Sequence, residues 1–175
     1  MNGLRVAQNF LKNAYSFSSI QFNFPSSIAQ EIYEWGLKNI PESILADDGR
    51  EDNIHVTIKY GIHINDFTAL RNVFINVKPV PVTLGKISLF TSDEYDVIKI
   101  EISSPELHRL NKVISSSFEV TDTHPTYTPH CTIAYVKRGC GAPYDGWKGF
   151  AGENILLNTV VFSGNDNRKT VFKLQ

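Results

Sequence analysis

Two segments of the chain each place a threonine two residues after a histidine. The first is HVTIKY, which holds His55 and Thr57, and the second is HCTIAY, which holds His130 and Thr132. A neutral imidazole can remove a proton from an attacking oxygen while a protonated one donates a proton to a leaving oxygen, because the ordinary histidine pKa of about 6.5 lies near neutral pH. Threonine hydroxyls can donate hydrogen bonds to the non-bridging oxygens of a phosphoryl group. These residues predict a catalytic site for phosphoryl transfer that needs no cofactor and no protein nucleophile.

Both motifs lie in segments typical of β-strands, in which successive side chains point to opposite faces. His55, Thr57 and Lys59 are therefore predicted to share one polar face, and the matching positions of the second motif to share another. The opposite faces are largely apolar, end in Tyr60 and Tyr135, and suit packing beneath a helix. Related by a pseudo-twofold axis, the two strands would place two imidazoles and two hydroxyls around one cleft. Lys59 is expected to reach the edge of that cleft and to contact substrate.

The likeness of the two halves extends upstream of each motif. Residues 15–24 and 95–102 alternate as strands, and each is followed by a segment with helical periodicity. Ser27 with Gln30 matches the capping-box pattern at the start of the first helix, and Ser104 is the candidate N-cap of the second. Further strands are predicted at residues 80–90, 154–163 and 170–174.

This duplication predicts one α+β domain over residues 1–175. We expect two pseudo-symmetric lobes, at about residues 15–92 and 95–175, of antiparallel sheet with outer helices around a central cleft. Exchange of strands between the lobes is left open. Residues 65–76 are predicted to form a helix in the first half only. The matching part of the second half, residues 139–152, is rich in glycine and aromatic residues and is predicted to be a loop.

Composition narrows the classes of partner. The net charge is −1, so the chain lacks the basic footprint of a protein that grips a long nucleic acid duplex. No apolar run approaches the roughly 20 residues that cross a bilayer, and residues 1–14 lack the pattern of a signal peptide. Two cysteines are too few for a disulfide framework, which favours the cytoplasm. We therefore expect a small phosphate-containing ligand and no membrane partner.

Aromatic and cationic residues outside the motifs are candidates for substrate binding. Tyr15, Tyr127 and Trp147 could stack on nucleobases, with ordinary packing as the alternative. Trp147 is the strongest candidate, because an exposed tryptophan in a loop could cover the cleft. Lys137 lies close to the second motif and could attract phosphate, with a solvated surface position as the alternative.

A metal site is another interpretation of the histidines. His124, His130 and Cys131 are near one another in sequence, but in a strand Cys131 points away from His130. The same geometry argues against Cys131 as a nucleophile. The sequence has no His, Cys and carboxylate cluster with the spacing of a metal site, and we expect no bound metal.

The paired motifs, each in an apolar strand inside a duplication, resemble the signature of the 2H phosphoesterase superfamily. That resemblance covers nearly the whole chain from about Ser16. It implies metal-independent cleavage of 2',3'-cyclic phosphates, 2'-5' linkages and related nucleotide diesters. The sequence context of the motifs, with Arg50-Glu-Asp before the first and Pro129 before the second, resembles that of phage members of the superfamily. Some of those are anti-CBASS enzymes that destroy cyclic oligonucleotide messengers in the host cytoplasm.

Three functions are therefore open. The first is cleavage of small nucleotide diesters, including cyclic oligonucleotides. The second is RNA end processing at 2',3'-cyclic phosphates or 2'-5' linkages. The third is a nucleotide-binding module that has lost catalysis, which the presence of both complete motifs argues against. The near-neutral charge favours the first over the second.

Overall fold

The computed structural model describes residues 17–122, 124 and 126–175. Tyr15, a candidate for substrate binding, lies outside the described residues. The α-helices in that part of the chain are α1 (Ser26–Asn39), α2 (Thr68–Phe74) and α3 (Pro105–Ser117), and short 3-10 helices span Glu42–Ile44 and Ala142–Tyr144. The strands are β1 (Ser18–Asn23), β2 (Leu45–Arg50), β3 (His55–Ile62), β4 (Val80–Thr91), β5 (Tyr95–Ser103), β6 (His130–Lys137), β7 (Asn154–Leu157), β8 (Thr159–Ser163) and β9 (Lys169–Lys173).

Two antiparallel sheets repeat one arrangement of strands. The first sheet has the order β3-β1-β8-β9, and the second has the order β2-β6-β5-β4-β7. Each His-x-Thr strand pairs with the strand that precedes its helix, β3 with β1 and β6 with β5. Strands from both halves of the chain complete each sheet, since β8 pairs with β1 and β4 pairs with β5. The predicted α+β fold with duplicated antiparallel sheets is confirmed.

The helices lie on the sheets through their apolar faces, but they begin in different ways. In α3 the predicted N-cap is confirmed, because the Ser104 hydroxyl accepts a hydrogen bond from the Leu107 amide at 3.4 Å. In α1 the predicted capping box is wrong. The N-cap is Pro25, which has no side-chain acceptor, and Ser27 already lies inside the first turn. Gln30 instead donates to Glu34 one turn later.

Two strand assignments differ from the sequence prediction. Strand β2 was not predicted, because LADDGR has no apolar alternation and pairs with β6 at two positions only. Arg50, at its end, contacts the C-terminal end of α1, where its guanidinium donates to the Gly36 and Ile40 carbonyls and pairs with Glu42. A cation is favourable there because the last carbonyls of a helix have no partners within the helix.

The second difference is that residues 154–163 form two strands rather than one. Strand β7 pairs with β4 in one sheet, and β8 pairs with β1 in the other. The chain changes sheets at Asn158, whose carbonyl accepts a hydrogen bond from the Leu174 amide at 2.8 Å. Among the described residues, no helix has the length and apolar character needed to cross a membrane.

The described residues between α3 and β6 (118–122, 124 and 126–129, called the 118–129 segment below) include a stretch that runs beside β3. Its Thr121 amide donates to the Gly61 carbonyl at 2.8 Å, and Val120 bridges to Ile62. Gly61 has a φ of +88°, and a Cβ there would lie 2.0 Å from the Thr121 carbonyl oxygen. Only glycine therefore fits at this contact.

We expect Gly61→Ala to lower the free energy of unfolding by more than about 3 kcal/mol, because backbone strain of about 1–2 kcal/mol adds to an overlap with backbone. Gly139→Ala is the matched control. Gly139 has a φ of +80° but no atom within 4 Å of its added Cβ, so strain alone applies. Urea unfolding of both variants measures the difference, and equal losses would contradict the close contact.

Candidate active site

A cavity of about 740 Å³ opens between the two His-x-Thr strands. Strand β3 of the first sheet contacts β6 of the second, and the cavity lies along this junction. Thr57, Thr132 and His130 line it, as does Tyr127 from the 118–129 segment. Most of the predicted site is therefore brought together at one place. The cavity also has an aromatic lining, made by Tyr60, Phe90, Tyr95, Tyr127 and Tyr135.

Each His-x-Thr strand has a β-bulge at the isoleucine after its threonine. The ladder to the neighbouring strand skips Ile58 in β3 and Ile133 in β6. An extra residue resets the alternation of faces. Tyr60 and Tyr135 are consequently half-buried and line the cavity. The prediction that these tyrosines lie on the opposite face is wrong, because it assumed uninterrupted strands.

The bulge also changes the position of Lys59. Its side chain is buried, and its ammonium forms an ion pair with Asp122 of the 118–129 segment. Both residues line the cavity, so Lys59 reaches it as expected. Beyond the bulge Lys59 no longer shares a face with Thr57, and the prediction of one polar face for His55, Thr57 and Lys59 is wrong. The charge of Lys59 is already paired, however, and the pair joins β3 to the cavity wall.

The two imidazoles are held in the same way. Nδ1 of His55 lies 2.6 Å from the Asn53 carbonyl oxygen, and Nδ1 of His130 lies 2.7 Å from the Thr128 carbonyl oxygen. Since a carbonyl only accepts, each Nδ1 must donate its hydrogen. The neutral rings therefore keep Nε2 as the nitrogen that can exchange a proton.

The surroundings of His130 favour its neutral form. Burial lowers the pKa of His130, the hydrogen bond to Thr128 opposes this, and the nearby charges of Lys99, His55 and His124 lower the pKa further. His55 is not among the residues that line the cavity. It is half-buried at the start of β3, and its charge acts on His130.

Cys131 points away from the cavity, as predicted. Its side chain is fully buried, and burial raises the pKa of its thiol. A neutral buried thiol is inert, so Cys131 is not a nucleophile. Within the described part of the chain, no group of three or more His, Cys, Asp or Glu residues could hold a metal ion.

Two tyrosine hydroxyls contact the threonine positions. The Tyr127 hydroxyl donates to the Thr57 carbonyl at 2.9 Å, and its ring meets His108 edge to face. Burial raises the pKa of Tyr127, which keeps its hydroxyl protonated. Burial is also the main cause that raises the pKa of Tyr135 to about 12, while a hydrogen bond with the Thr132 side chain acts in the opposite direction. Both tyrosine hydroxyls therefore stay protonated at neutral pH, and that of Tyr127 donates to the Thr57 carbonyl.

Sequence reasoning missed a second row of side chains on the neighbouring strands. In the ladder, Lys99 lies opposite Thr132, and Glu101 lies opposite His130. Phe90 of β4 meets the His130 ring edge to face, with ring centroids 4.9 Å apart. The signal was present in the sequence, because Lys99 and Glu101 are polar positions in the otherwise apolar alternating strand DVIKIEI.

Two predicted substrate contacts lie elsewhere. Lys137 is exposed, and its ammonium donates to the Ser43 carbonyl at 2.8 Å. The Trp147 ring lies 4.8 Å from the Trp35 ring and 5.1 Å from the Phe150 ring, and neither Trp147 nor Lys137 lines the cavity. Backbone hydrogen bonds to Ile87 of β4 hold the loop there. The expected placement of Trp147 over the cleft is wrong, and packing is the interpretation that its contacts support.

Comparisons with known proteins agree with this geometry. The family described as the 2'-5' RNA ligase superfamily matches residues 24–142, which is more than half of the chain and includes both His-x-Thr strands. The chain belongs to the 2'-5' RNA ligase superfamily. It is a 2H phosphoesterase, and the resemblance drawn from its paired motifs is confirmed. No curated protein matches the chain.

Solved structures share the fold of this 2H phosphoesterase. TT0787 of Thermus thermophilus is 12% identical with a TM-score of 0.63, over 91% of this chain and 95% of that chain. E. coli LigT complexed with 3'-AMP is 17% identical with a TM-score of 0.57, over 91% and 95%. E. coli LigT complexed with phosphate is 16% identical with a TM-score of 0.55, over 91% and 94%. Because the sequence identities are this low, the structural similarity shows a common fold and no more than that.

We expect Trp147→Ala to lower the melting temperature without changing KM. The ring packs on Trp35 and Phe150, so its removal should cost about 1–3 kcal/mol of stability, while the cavity is left intact. Leu156→Ala is the control, because Leu156 is an exposed apolar side chain that should contribute less than about 0.5 kcal/mol. Thermal unfolding and steady-state kinetics on the same preparations measure both effects. A raised KM with an unchanged melting temperature would restore the stacking role.

Proposed function

We propose that this 2H phosphoesterase cleaves small nucleotide phosphodiesters by metal-independent acid–base catalysis with two histidines. The observation that supports this most directly is the matched geometry of the imidazoles. Both donate Nδ1–H to a carbonyl two residues upstream, and both therefore keep Nε2 for proton transfer. One neutral ring and one protonated ring are the pair that general acid–base catalysis of phosphoryl transfer needs.

The proposed reaction uses each part of the site once. The attacking oxygen, from water or a substrate ribose 2'-hydroxyl, gives its proton to Nε2 of the neutral histidine as its bond to phosphorus forms. The leaving oxygen takes the proton from Nε2 of the other histidine as its bond to phosphorus breaks. The hydroxyls of Thr57 and Thr132 donate hydrogen bonds to the non-bridging oxygens, where charge is stabilised. After this step the two histidines have exchanged protonation states, and proton exchange with water restores them before the next cycle.

The size and lining of the cavity support a small nucleotide substrate. A volume of about 740 Å³ lies within the range of small-molecule sites, roughly 300–1,000 Å³. Its aromatic lining offers faces on which nucleobases stack. A protein with the same fold, E. coli LigT, has been solved in complex with 3'-AMP, NADP+ and ATP. Cyclic oligonucleotide messengers, the substrates of anti-CBASS enzymes, are the finer class that we propose.

RNA end processing at 2',3'-cyclic phosphates or 2'-5' linkages is the second candidate. The description of the matching family favours it. The net charge of −1 favours a small substrate over a long RNA, because each phosphate contact of a long strand adds a requirement for a cation. We place the reaction in the cytoplasm, where the two cysteines, both free in the structure, stay reduced.

The test is an assay with a panel of cyclic dinucleotides and trinucleotides, 2'-5' oligoadenylates and 2',3'-cyclic mononucleotides in EDTA, with the products resolved by chromatography. Turnover of the cyclic oligonucleotides above the other classes supports the first candidate. Preference for 2',3'-cyclic ends supports the second. Nucleotide binding without turnover of any member would overturn an enzymatic role, and loss of turnover in EDTA with rescue by a divalent ion would overturn the metal-independent mechanism.

We expect His55→Ala and His130→Ala each to lower kcat by about 10²-fold or more, which is the usual scale of general acid–base catalysis. His63→Ala is the control, because His63 is an exposed histidine just beyond β3 whose ring nitrogens face the Thr121 hydroxyl and the Glu119 carboxylate rather than a backbone carbonyl. It should stay within about twofold of the wild type. Circular dichroism checks that all three variants fold. Wild-type activity in either active-site variant would remove the two-histidine mechanism.

A further inference from the structure

The side chain of Lys99 is enclosed beside the active site. The residue is 3% exposed, and its ammonium donates to the Ser88 hydroxyl at 2.7 Å. The ammonium also lies 4.1 Å from the centroid of the Phe90 ring. In the part of the chain that the structure describes, no carboxylate lies within ion-pair distance of it. A buried ammonium with a hydroxyl and an aromatic ring as partners is costly, because its charge is not neutralised.

Two observations place Lys99 close to His130. It lies opposite Thr132 in the β5–β6 ladder, one position along the cavity-facing side from His130. The Phe90 ring that contacts its ammonium also meets the His130 ring, with centroids 4.9 Å apart. The ammonium and the imidazole therefore share one apolar neighbour, the partly exposed Phe90 ring, with the Lys99 side chain buried and His130 half-buried. Two positive charges this close repel each other.

The other groups around His130 do not offset this charge. Strand β3 contributes His55 and the 118–129 segment contributes His124, and both disfavour a proton on His130. Strand β4 contributes the uncharged Phe90 and Ser88. Glu101, opposite His130 in β5, is half-buried and acts on Lys99.

The charged groups around Lys99 are on balance acidic. Burial lowers the pKa of Lys99, Glu101 and Asp145 oppose this, and the exposed Lys86 adds to it. The ordinary pKa of lysine lies about four units above that of histidine, so His130 gives up its proton before Lys99 does.

We propose that Lys99 is a positioning residue that keeps His130 uncharged, so that His130 accepts the proton of the attacking hydroxyl and His55 protonates the leaving oxygen. The direction of proton transfer rests on the proposed function. The effect of Lys99 on the charge of His130 does not. A fixed cation next to one of two otherwise matched histidines is what makes their roles different.

The experiment compares Lys99→Met, which removes the charge at similar length, with Lys99→Arg, which keeps it. Lys86→Met is the matched control, because Lys86 is an exposed lysine near Lys99 on β4. The imidazole Cε1–H resonance of His130 is followed by NMR from about pH 4 to about pH 9 and assigned with His130→Asn. The same variants are assayed for kcat/KM over the same range.

In Lys99→Met we expect the titration midpoint of His130 to move upward, with Lys99→Arg and Lys86→Met near the wild type. The ratio of kcat/KM at about pH 5.5 to that at about pH 8 should fall by roughly 3- to 10-fold in Lys99→Met, because a base that holds its proton at low pH is inactive. An unchanged His130 titration in Lys99→Met, or an equal shift in Lys99→Arg, would overturn the effect of charge. A change confined to the alkaline limb of the rate profile would overturn the assignment of His130 as the base.

The two proposals can fail separately. If the wild type cleaves no member of the panel, the proposed function fails, and the NMR titration still decides whether Lys99 controls the charge of His130. If the wild type is active and the titration does not move, the function stands and the role of Lys99 is removed.

Discussion

The hydrogen bond from each imidazole Nδ1 to a carbonyl two residues upstream is the constraint on which the site depends. The bond ties each ring to the backbone just before its own strand begins. Residues of the neighbouring chain segments hold the two approaches alike. The Phe24 amide donates to the Ile54 carbonyl at 3.1 Å, and the Ile102 amide donates to the Pro129 carbonyl at 3.2 Å. The position of each ring is thus fixed by backbone bonds of its own sheet.

The two halves match closely in backbone and differ in charge. Both have the strand, helix and His-x-Thr strand order, and both have a bulge at the same isoleucine. The polar row beside the histidines does not match. Gln21 lies opposite Thr57 in β1, where the second half has Lys99 opposite Thr132. A symmetric scaffold therefore surrounds two histidines with different electrostatic settings, as a reaction with one base and one acid requires.

The sequence was sufficient for the parts of the fold that follow a simple period. The His-x-Thr strands, the strands before the helices and the Ser104 N-cap are all set by local residue types, and the structure has them. Threonines two residues after each histidine shared the predicted face because no irregularity intervenes. The bulges at Ile58 and Ile133 could not be predicted, because they depend on pairing with β1 and β5.

Long-range contacts account for the other differences. Strand β2 has no apolar period of its own and exists through its pairing with β6. The loop with Trp147 was predicted from composition alone, which gives the chemistry of a segment but not the surface it packs on. Its location is decided by backbone bonds to Ile87, more than fifty residues earlier in the chain. The sequence shows Lys99 as a polar residue in an apolar strand. Its position beside His130 could not be predicted, because it depends on the pairing of β5 with β4 and β6.

The pairing of β1 with β8 has a consequence for how the protein is made. Ser19 lies beside Ser163, so β1, which has β3 on one side, gains its second partner only after residue 163 has left the ribosome. A topology in which most pairings join distant residues folds slowly, because long loops must close before any contact is gained. Until then the first sheet lacks β8 and β9, and no fragment from either half holds both sides of the cavity. Activity should therefore arise in one step late in synthesis, and the nascent chain is the stage at which this protein most needs protection from aggregation.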